Sequence, residues 1–425
     1  MLMVRFEDLL RKPKRVLWQI CEHVELDFHQ DMLPASHHKI PFGSRFQDRW
    51  YPLSFERALH YVEKATPEEL VIIRARCGSL ARELGYEVPL FFGKSDKRRS
   101  VMAKRALVTG AGGFIGHHLV KFLKNKGYWV RGVDIKHPEF EPSPADEFEL
   151  LDLRKFENCL IATRGGFDEV YHLAADMGGI GYITAIHADI TRNNVLINVN
   201  MLEACRINGV GRFFFSSSAC VYPQYKQKSA DVTPLKEEDA WPAEPEEGYG
   251  LEKLFMEKLC QYYREDHGLE TRVARFHNVY GPLGTYEGGR EKAPAALCRK
   301  IALAKDGDEI EIWGDGNQTR SFLYIDDCLE GIYLLTQSDY PEPLNIGSDR
   351  MVTINELVDI IAKIAGKRIR KRHDLSKPQG VRGRNSDNTR VREVLGWEPK
   401  VSLEEGLKRT YQWIEGELRK AGRIP

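Results

Sequence analysis

Between Arg105 and Leu123 the spacing of apolar positions changes period within a few residues. Ala106, Leu107 and Val108 form the short unbroken apolar run of a strand buried on both faces. A glycine-rich turn follows, after which Leu119, Val120 and Leu123 recur at helical spacing. The same alternation then repeats. Trp129-Val-Arg-Gly-Val-Asp134, Phe148-Glu-Leu-Leu-Asp152-Leu153, Val170-Tyr-His-Leu-Ala-Ala175 and Phe213-Phe-Phe-Ser-Ser-Ser218 read as four further strands, with helical segments between them. Strands that alternate with helices predict an α/β fold, a doubly wound parallel sheet with helices on both faces.

Upstream the pattern is different. Val16-Leu-Trp-Gln-Ile-Cys-Glu-His-Val24 and the stretch from Pro67 to Leu84, with Thr66 as its cap, carry apolar residues at helical spacing. The first hundred residues therefore read as mainly helix and loop. Residues 94 to 105 are polar and basic and mark a boundary before the first strand.

Composition narrows the function classes. At about 150 residues per domain, 425 residues suggest two to three domains. Lys and Arg total 62 and Asp and Glu total 62, so no basic excess is available to neutralise a nucleic-acid backbone. No apolar run approaches the roughly 18 residues of a membrane span, and the charged start argues against a signal peptide, so a cytoplasmic location is expected. Eight cysteines without a Cys-x-x-Cys pair read as reduced thiols. The spacing of Cys21 with His23, His29, His37 and His38 matches no zinc signature, so no metal is expected.

The glycine turn carries the first chemistry. Gly110, Gly113 and Gly116 lack Cβ atoms where the chain turns sharply, and Phe114 and Ile115 open a helix whose free N–H groups and dipole favour a pyrophosphate. Asp134 ends the second strand about 20 residues on and can accept both ribose hydroxyls; a 2′-phosphate would meet it as like charge, which favours NAD over NADP. Asp152 and Leu153, at the end of the third strand, suit the adenine edge.

Ser218 ends the fifth strand at the carboxyl edge of the sheet, where such folds hold ligands. Tyr249 and Lys253 stand one helical turn apart and so on one face. An ammonium beside a phenol stabilises the phenolate. Tyr249 is thereby a candidate to take a proton from a substrate hydroxyl while the carbon loses hydride, with Ser218 holding the same oxygen.

Together these residues resemble the extended short-chain dehydrogenase/reductase family, which acts mainly on nucleotide sugars; the resemblance runs from about residue 104 to 415. It implies a Rossmann-type NAD-binding domain over 104–280 and a smaller substrate lobe over 281–425, with segments near 321–347 returning to the sheet. Residues 1–93 would be an appendage and 94–103 a linker. A 4,6-dehydratase of that family has an acidic pair after the hydroxyl strand, where this chain has Ala219-Cys220.

Three stretches narrow the resemblance to the GDP-mannose 3,5-epimerases: Ser218-Ala-Cys220, Gly288-Gly-Arg-Glu-Lys-Ala-Pro-Ala-Ala296, and Trp313-Gly-Asp-Gly-Asn-Gln-Thr-Arg320 with Gly380-Val-Arg-Gly-Arg384. The resemblance implies that Cys220 and Lys292 are the epimerising acid/base pair. It also implies that Gly178, Ser218, Ala219, Cys220, Asn278, Glu291, Lys292, Ala293, Lys300, Gln318, Arg320 and Arg384 contact GDP-mannose and the GDP-hexose products. A homodimer through the helices after Asp189 and Tyr249 is implied as well. GDP-fucose synthase, which pairs its cysteine with histidine and uses NADPH, is the nearest alternative; a non-catalytic sugar-nucleotide sensor is another. Residues 3 to 87 resemble the C-terminal part of a sulfotransferase, without the phosphate loop that grips the sulfate donor.

Overall fold

The computed structural model describes residues 103–425, together with Gln19, Glu22 and an antiparallel pair of short strands, Lys39–Pro41 and Trp50–Pro52. The chain divides into two compact units, Met1–Ser95 and Asp96–Pro425. The remainder of the sulfotransferase-like segment, its helices and the Cys21 and histidine group lie outside the described residues.

The second unit is built on seven parallel strands: β1 (Arg105–Thr109), β2 (Trp129–Asp134), β3 (Glu147–Leu150), β4 (Glu169–His172), β5 (Arg212–Ser218), β6 (Glu270–Phe276) and β7 (Leu344–Ile346). Their order is β7-β6-β5-β4-β1-β2-β3. The order reverses between β1 and β4, which opens a crevice at their carboxyl ends. Burial follows position. β4, at the centre, is buried at all four residues, whereas the edge strand β3 exposes Glu147 and keeps Glu149 half-buried, both facing Arg131 of β2.

Helices α1 (Phe114–Asn125) and α6 (Ile325–Gln337) pack together. So do α2 (Phe156–Ala162), α3 (His187–Ile207) and α4 (Tyr249–His267), the last against β5 and β6. Beyond the sheet, α5 (Ala293–Leu303), α7 (Ile354–Ala365) and α8 (Leu403–Lys420) pack on one another. One apolar core runs from Val108 and Leu119 through Ile332 and Ile346 to Leu407 and Ile414.

The segment 321–347 divides its pairing. Leu344–Ile346 joins the large sheet beside β6, but Leu323–Tyr324 pairs with Val279–Tyr280 outside it. Thr319–Ser321 is the middle strand of a separate three-stranded sheet with Met351–Thr353 and Gly383–Arg384. The third strand also ends earlier than its apolar pattern predicts, at Leu150, so Asp152 and Leu153 stand beyond it. Among the described residues no helix is long and apolar enough to cross a membrane.

Candidate active site

The glycine turn is built by close approach. A Cβ on Gly116 would stand 2.0 Å from the Gly110 carbonyl oxygen, and one on Gly112 2.2 Å from that of Lys136. Gly110 adopts a φ of +72°, in the left-handed region. Gly113 begins α1 with no side-chain cap and with no acidic residue in the first turn, which leaves the first helical N–H groups to an anion. Asp134 Oδ2 accepts from Gly112 N at 2.9 Å and Oδ1 from Ile135 N at 2.6 Å. Burial holds this carboxyl above its ordinary range, against the pull of those N–H donors. A bare helix start, a backbone that admits close contact and a half-buried carboxylate fit a dinucleotide with free ribose hydroxyls. Gly112 joins this set through its N–H, a role the glycine spacing alone did not assign. The Asp152 carboxylate is instead gripped by Arg154 of its own chain, with Nε and Nη2 both at 2.9 Å, and Leu153 is buried.

At the end of β5, Ser218 Oγ accepts from Cys220 N at 3.2 Å and caps the short 3₁₀ turn Ala219–Val221. Gly250, the residue after Tyr249, packs so closely that a Cβ there would lie 2.3 Å from the Cys220 carbonyl oxygen. Tyr249 is 8% exposed and Lys253 1%, with Lys253 Nζ 5.5 Å from the centroid of the Tyr249 ring and 4.7 Å from that of Phe215. Burial pushes the Tyr249 phenol well above its ordinary value, the Cys220 and Glu252 charges add to this, and a hydrogen bond with Ser218 opposes it. Burial also lowers Lys253, against the attraction of Glu252. Desolvation, which penalises both charges, thus dominates both side chains here.

Behind this pair, Glu252 is fixed by Asn194 and Asn198 of α3, each at 3.0 Å. Asn198 Oδ1 meets His172 Nε2 at 2.9 Å, and His172 Nδ1 meets Thr109 Oγ1 at 2.8 Å. A buried polar chain therefore links the end of β1 to the helix that carries Lys253.

The charge of Cys220 favours the protonated form of Lys292. Burial works the other way. The thiol is pushed up to about 11, chiefly by burial and then by Glu246, and Lys292 is lowered. Lys292 is the N-cap of α5, where the helix dipole also disfavours a cation. Its loop is tied down by Gly179 N, which donates to the Arg290 carbonyl at 3.0 Å, and by the Arg290 guanidinium, which lies 3.9 Å over the Tyr182 ring. Gly178 sits against that ring, and Ala293 begins α5.

The remaining predicted contacts are spread over several places. Arg384 and Arg320 lie with Cys220: Arg384 Nη1 is 3.6 Å from the sulfur, and Arg320 is half-buried, held by the carbonyls of Gln379 and Val381, and lowered by desolvation to about 10. Lys300 and Gln318 instead border the strand Glu309–Trp313, donating to the carbonyls of Glu311 at 2.8 Å and Trp313 at 2.9 Å. Asn278, with φ +45°, donates to the Ser321 carbonyl at 2.9 Å. Glu291 accepts from Gly289 N at 2.7 Å. Two residues of this site escaped sequence reasoning. Glu246 and Gln227 both bind Arg384, and no local pattern marks either.

Comparison with known proteins agrees with this geometry. Residues 106–347 match the model of the NAD dependent epimerase/dehydratase family. The chain is 54% identical over 318 residues to GDP-mannose 3,5-epimerase 1 of Oryza sativa subsp. japonica, covering 74% of this chain and 83% of that one. It is 53% identical over 315 residues to GDP-mannose 3,5-epimerase of Arabidopsis thaliana, covering 74% and 82%. Among solved structures, UDP-glucose 4-epimerase of Thermotoga maritima with UDP-glucose superposes with a TM-score of 0.66 at 30% identity, over 74% of this chain and 99% of that one. The chain belongs to the NAD dependent epimerase/dehydratase family, and within it to the GDP-mannose 3,5-epimerases.

Proposed function

We propose that the chain converts GDP-mannose to GDP-L-galactose by inversion at C3 and C5, and to GDP-L-gulose by inversion at C5 alone, with NAD as its resident cofactor. The observation that carries this reading is a second acid/base pair, Cys220 and Lys292, beside the Ser218, Tyr249 and Lys253 trio. A simple 4-epimerase has no use for that pair.

NAD, when bound, would supply reversible hydride chemistry at C4. Gly110, Gly113 and Gly116 would hold the diphosphate end, with Phe114 and Ile115 supplying helix N–H groups, and Asp134, steadied by Gly112 N, would accept the ribose hydroxyls. Tyr249 takes the C4 hydroxyl proton while Ser218 steadies the oxygen, and Lys253 supplies positive charge to the phenolate. Once C4 is a ketone, the C–H bonds at C3 and C5 become acidic, because each carbanion delocalises into the carbonyl. Cys220 then receives the proton as a thiolate, and Lys292 returns one from the opposite face. Arg384, 3.6 Å from the Cys220 sulfur, and Arg320, on which the Cys220 charge also acts, suit the charged and hydroxylated parts of the sugar nucleotide.

A homodimer through α3 and α4 is part of the same proposal. Leu251, Phe255 and Tyr262 lie about a turn or two apart on α4 and are 49–55% exposed, and Leu196 of α3 is exposed as well. We assign the enzyme to the cytoplasm, which suits the six free cysteines among the described residues. The substrate assignment is tested by supplying the purified chain with GDP-mannose and no added cofactor, and separately with the 4-keto-6-deoxy sugar nucleotide plus NADPH. Turnover of the first alone supports it; turnover of the second alone makes the chain a fucose synthase-type enzyme.

A further inference from the structure

Arg384 is held on three sides. Its Nε donates to Gln227 Oε1 at 2.7 Å, its Nη2 donates to Glu246 Oε1, and its Nη1 faces Cys220 Sγ at 3.6 Å. The anchors are themselves fixed. Gln227 is 1% exposed and its amide donates to the Tyr222 and Pro223 carbonyls at 3.0 and 3.3 Å, and Glu246 N donates to the Cys220 carbonyl at 3.0 Å. Arg384 is itself 6% exposed, so this is a built arrangement of buried groups around one sulfur.

We propose that Glu246 is a positioning residue for proton abstraction: with Gln227 it fixes the Arg384 guanidinium against the Cys220 sulfur, making Arg384 the cation that stabilises the thiolate. This rests on the reading of Cys220 as the base. A guanidinium suits the task because its planar fork can satisfy Gln227 and Glu246 and still present a third N–H to sulfur, which a lysine ammonium on a flexible stem does less well. The other groups that face the sulfur are accounted for. Ser218 and Tyr249 belong to the C4 site, Lys253 stands behind Tyr249, Lys292 serves as the opposite acid, and Arg320 is occupied by backbone carbonyls. Glu246 has two opposed effects: its charge disfavours the thiolate directly, while its hydrogen bond keeps the favourable cation in place.

That opposition makes the proposal testable with two substitutions in the full chain. Glu246→Gln keeps an acceptor for Arg384 and removes the negative charge. Glu246→Leu removes both. The first readout is the pH midpoint of Cys220 alkylation by iodoacetamide, followed at that cysteine by mass spectrometry, which needs no substrate. The Gln variant should shift the midpoint down by about one pH unit, and the Leu variant should shift it up, to about two units above wild type. The second readout is deuterium exchange at C5 of GDP-mannose in heavy water. The Leu variant should lose about 10²-fold while still reducing bound NAD, and Gln should restore most of the exchange. Equal midpoints in the two variants, or wild-type exchange in Glu246→Leu, would overturn the proposal. If the wild type neither turns over nor exchanges GDP-mannose but the midpoints move as stated, the substrate reading fails and the role of Glu246 stands.

Discussion

Lys253 Nζ lies 5.5 Å from the centre of the Tyr249 ring, inside a site where both side chains are buried. That closeness joins two opposed effects: each group favours the charged form of the other, and their common burial disfavours both charges. Burial is the larger of the two at Tyr249 and pushes its phenol up. Tyr249→Phe should abolish hydride transfer, with a loss of about 10²- to 10⁴-fold in turnover and little change in GDP-mannose affinity. Single-turnover absorbance of reduced cofactor, set beside a binding titration, checks both halves.

Asp134 is the second place where one atom carries a prediction. Asp134→Ala removes the carboxylate that accepts from Gly112 N and, in the proposed function, from the ribose hydroxyls. NAD affinity should fall about 10- to 100-fold, the loss of a charged hydrogen bond, measured by calorimetric titration of cofactor-stripped protein. Unchanged affinity would mean that the ribose is held elsewhere.

The glycine turn predicts a backbone effect. In Gly116→Ala the new methyl would meet the Gly110 carbonyl oxygen at 2.0 Å, and that oxygen belongs to the main chain and cannot swing aside. The variant should lose about 1–3 kcal/mol of stability together with NAD binding, read by denaturant unfolding with and without cofactor.

Stability should also depend on pH through two buried histidines. His172 and His277 are both pushed down from 6.5 to about 3 by burial. The unfolded chain therefore binds protons that the folded chain refuses between those values. Their contribution is fully present above pH 6.5 and is lost as pH falls toward 3. Melting temperature should decline across that window, and His172→Gln should make the decline shallower, whatever its effect at pH 8.

What the sequence made legible was local. The switch from an apolar run to helical spacing marks β1 and α1, Asp134 announces itself as the polar end of a strand, and Tyr249 and Lys253 share a helix face at four residues' separation. What it hid was long-range. Glu246 meets Arg384 across 138 positions and Gln227 meets it across 157, so no spacing rule reaches them. Leu323–Tyr324 has the apolar character of a sheet strand, yet its partner is the two-residue strand Val279–Tyr280, a choice set by tertiary packing. Proximity of Tyr249 to Lys253 was readable; the depth of their burial, which sets the direction of both titrations, was not.

In the proposed mechanism, protons at C3 and C5 exchange through Cys220 and Lys292 while the C4 hydrogen travels as hydride. The most direct measurement is NMR of the nucleotide sugars recovered after the purified chain acts on GDP-mannose in heavy water. Deuterium at C5 and C3, none at C4, and inverted configuration at the labelled carbons are predicted, with labelling lost in Cys220→Ala and Lys292→Met. Product inverted at C4 with no deuterium at C3 or C5, or Cys220→Ala labelled at C5 as fast as wild type, would contradict it.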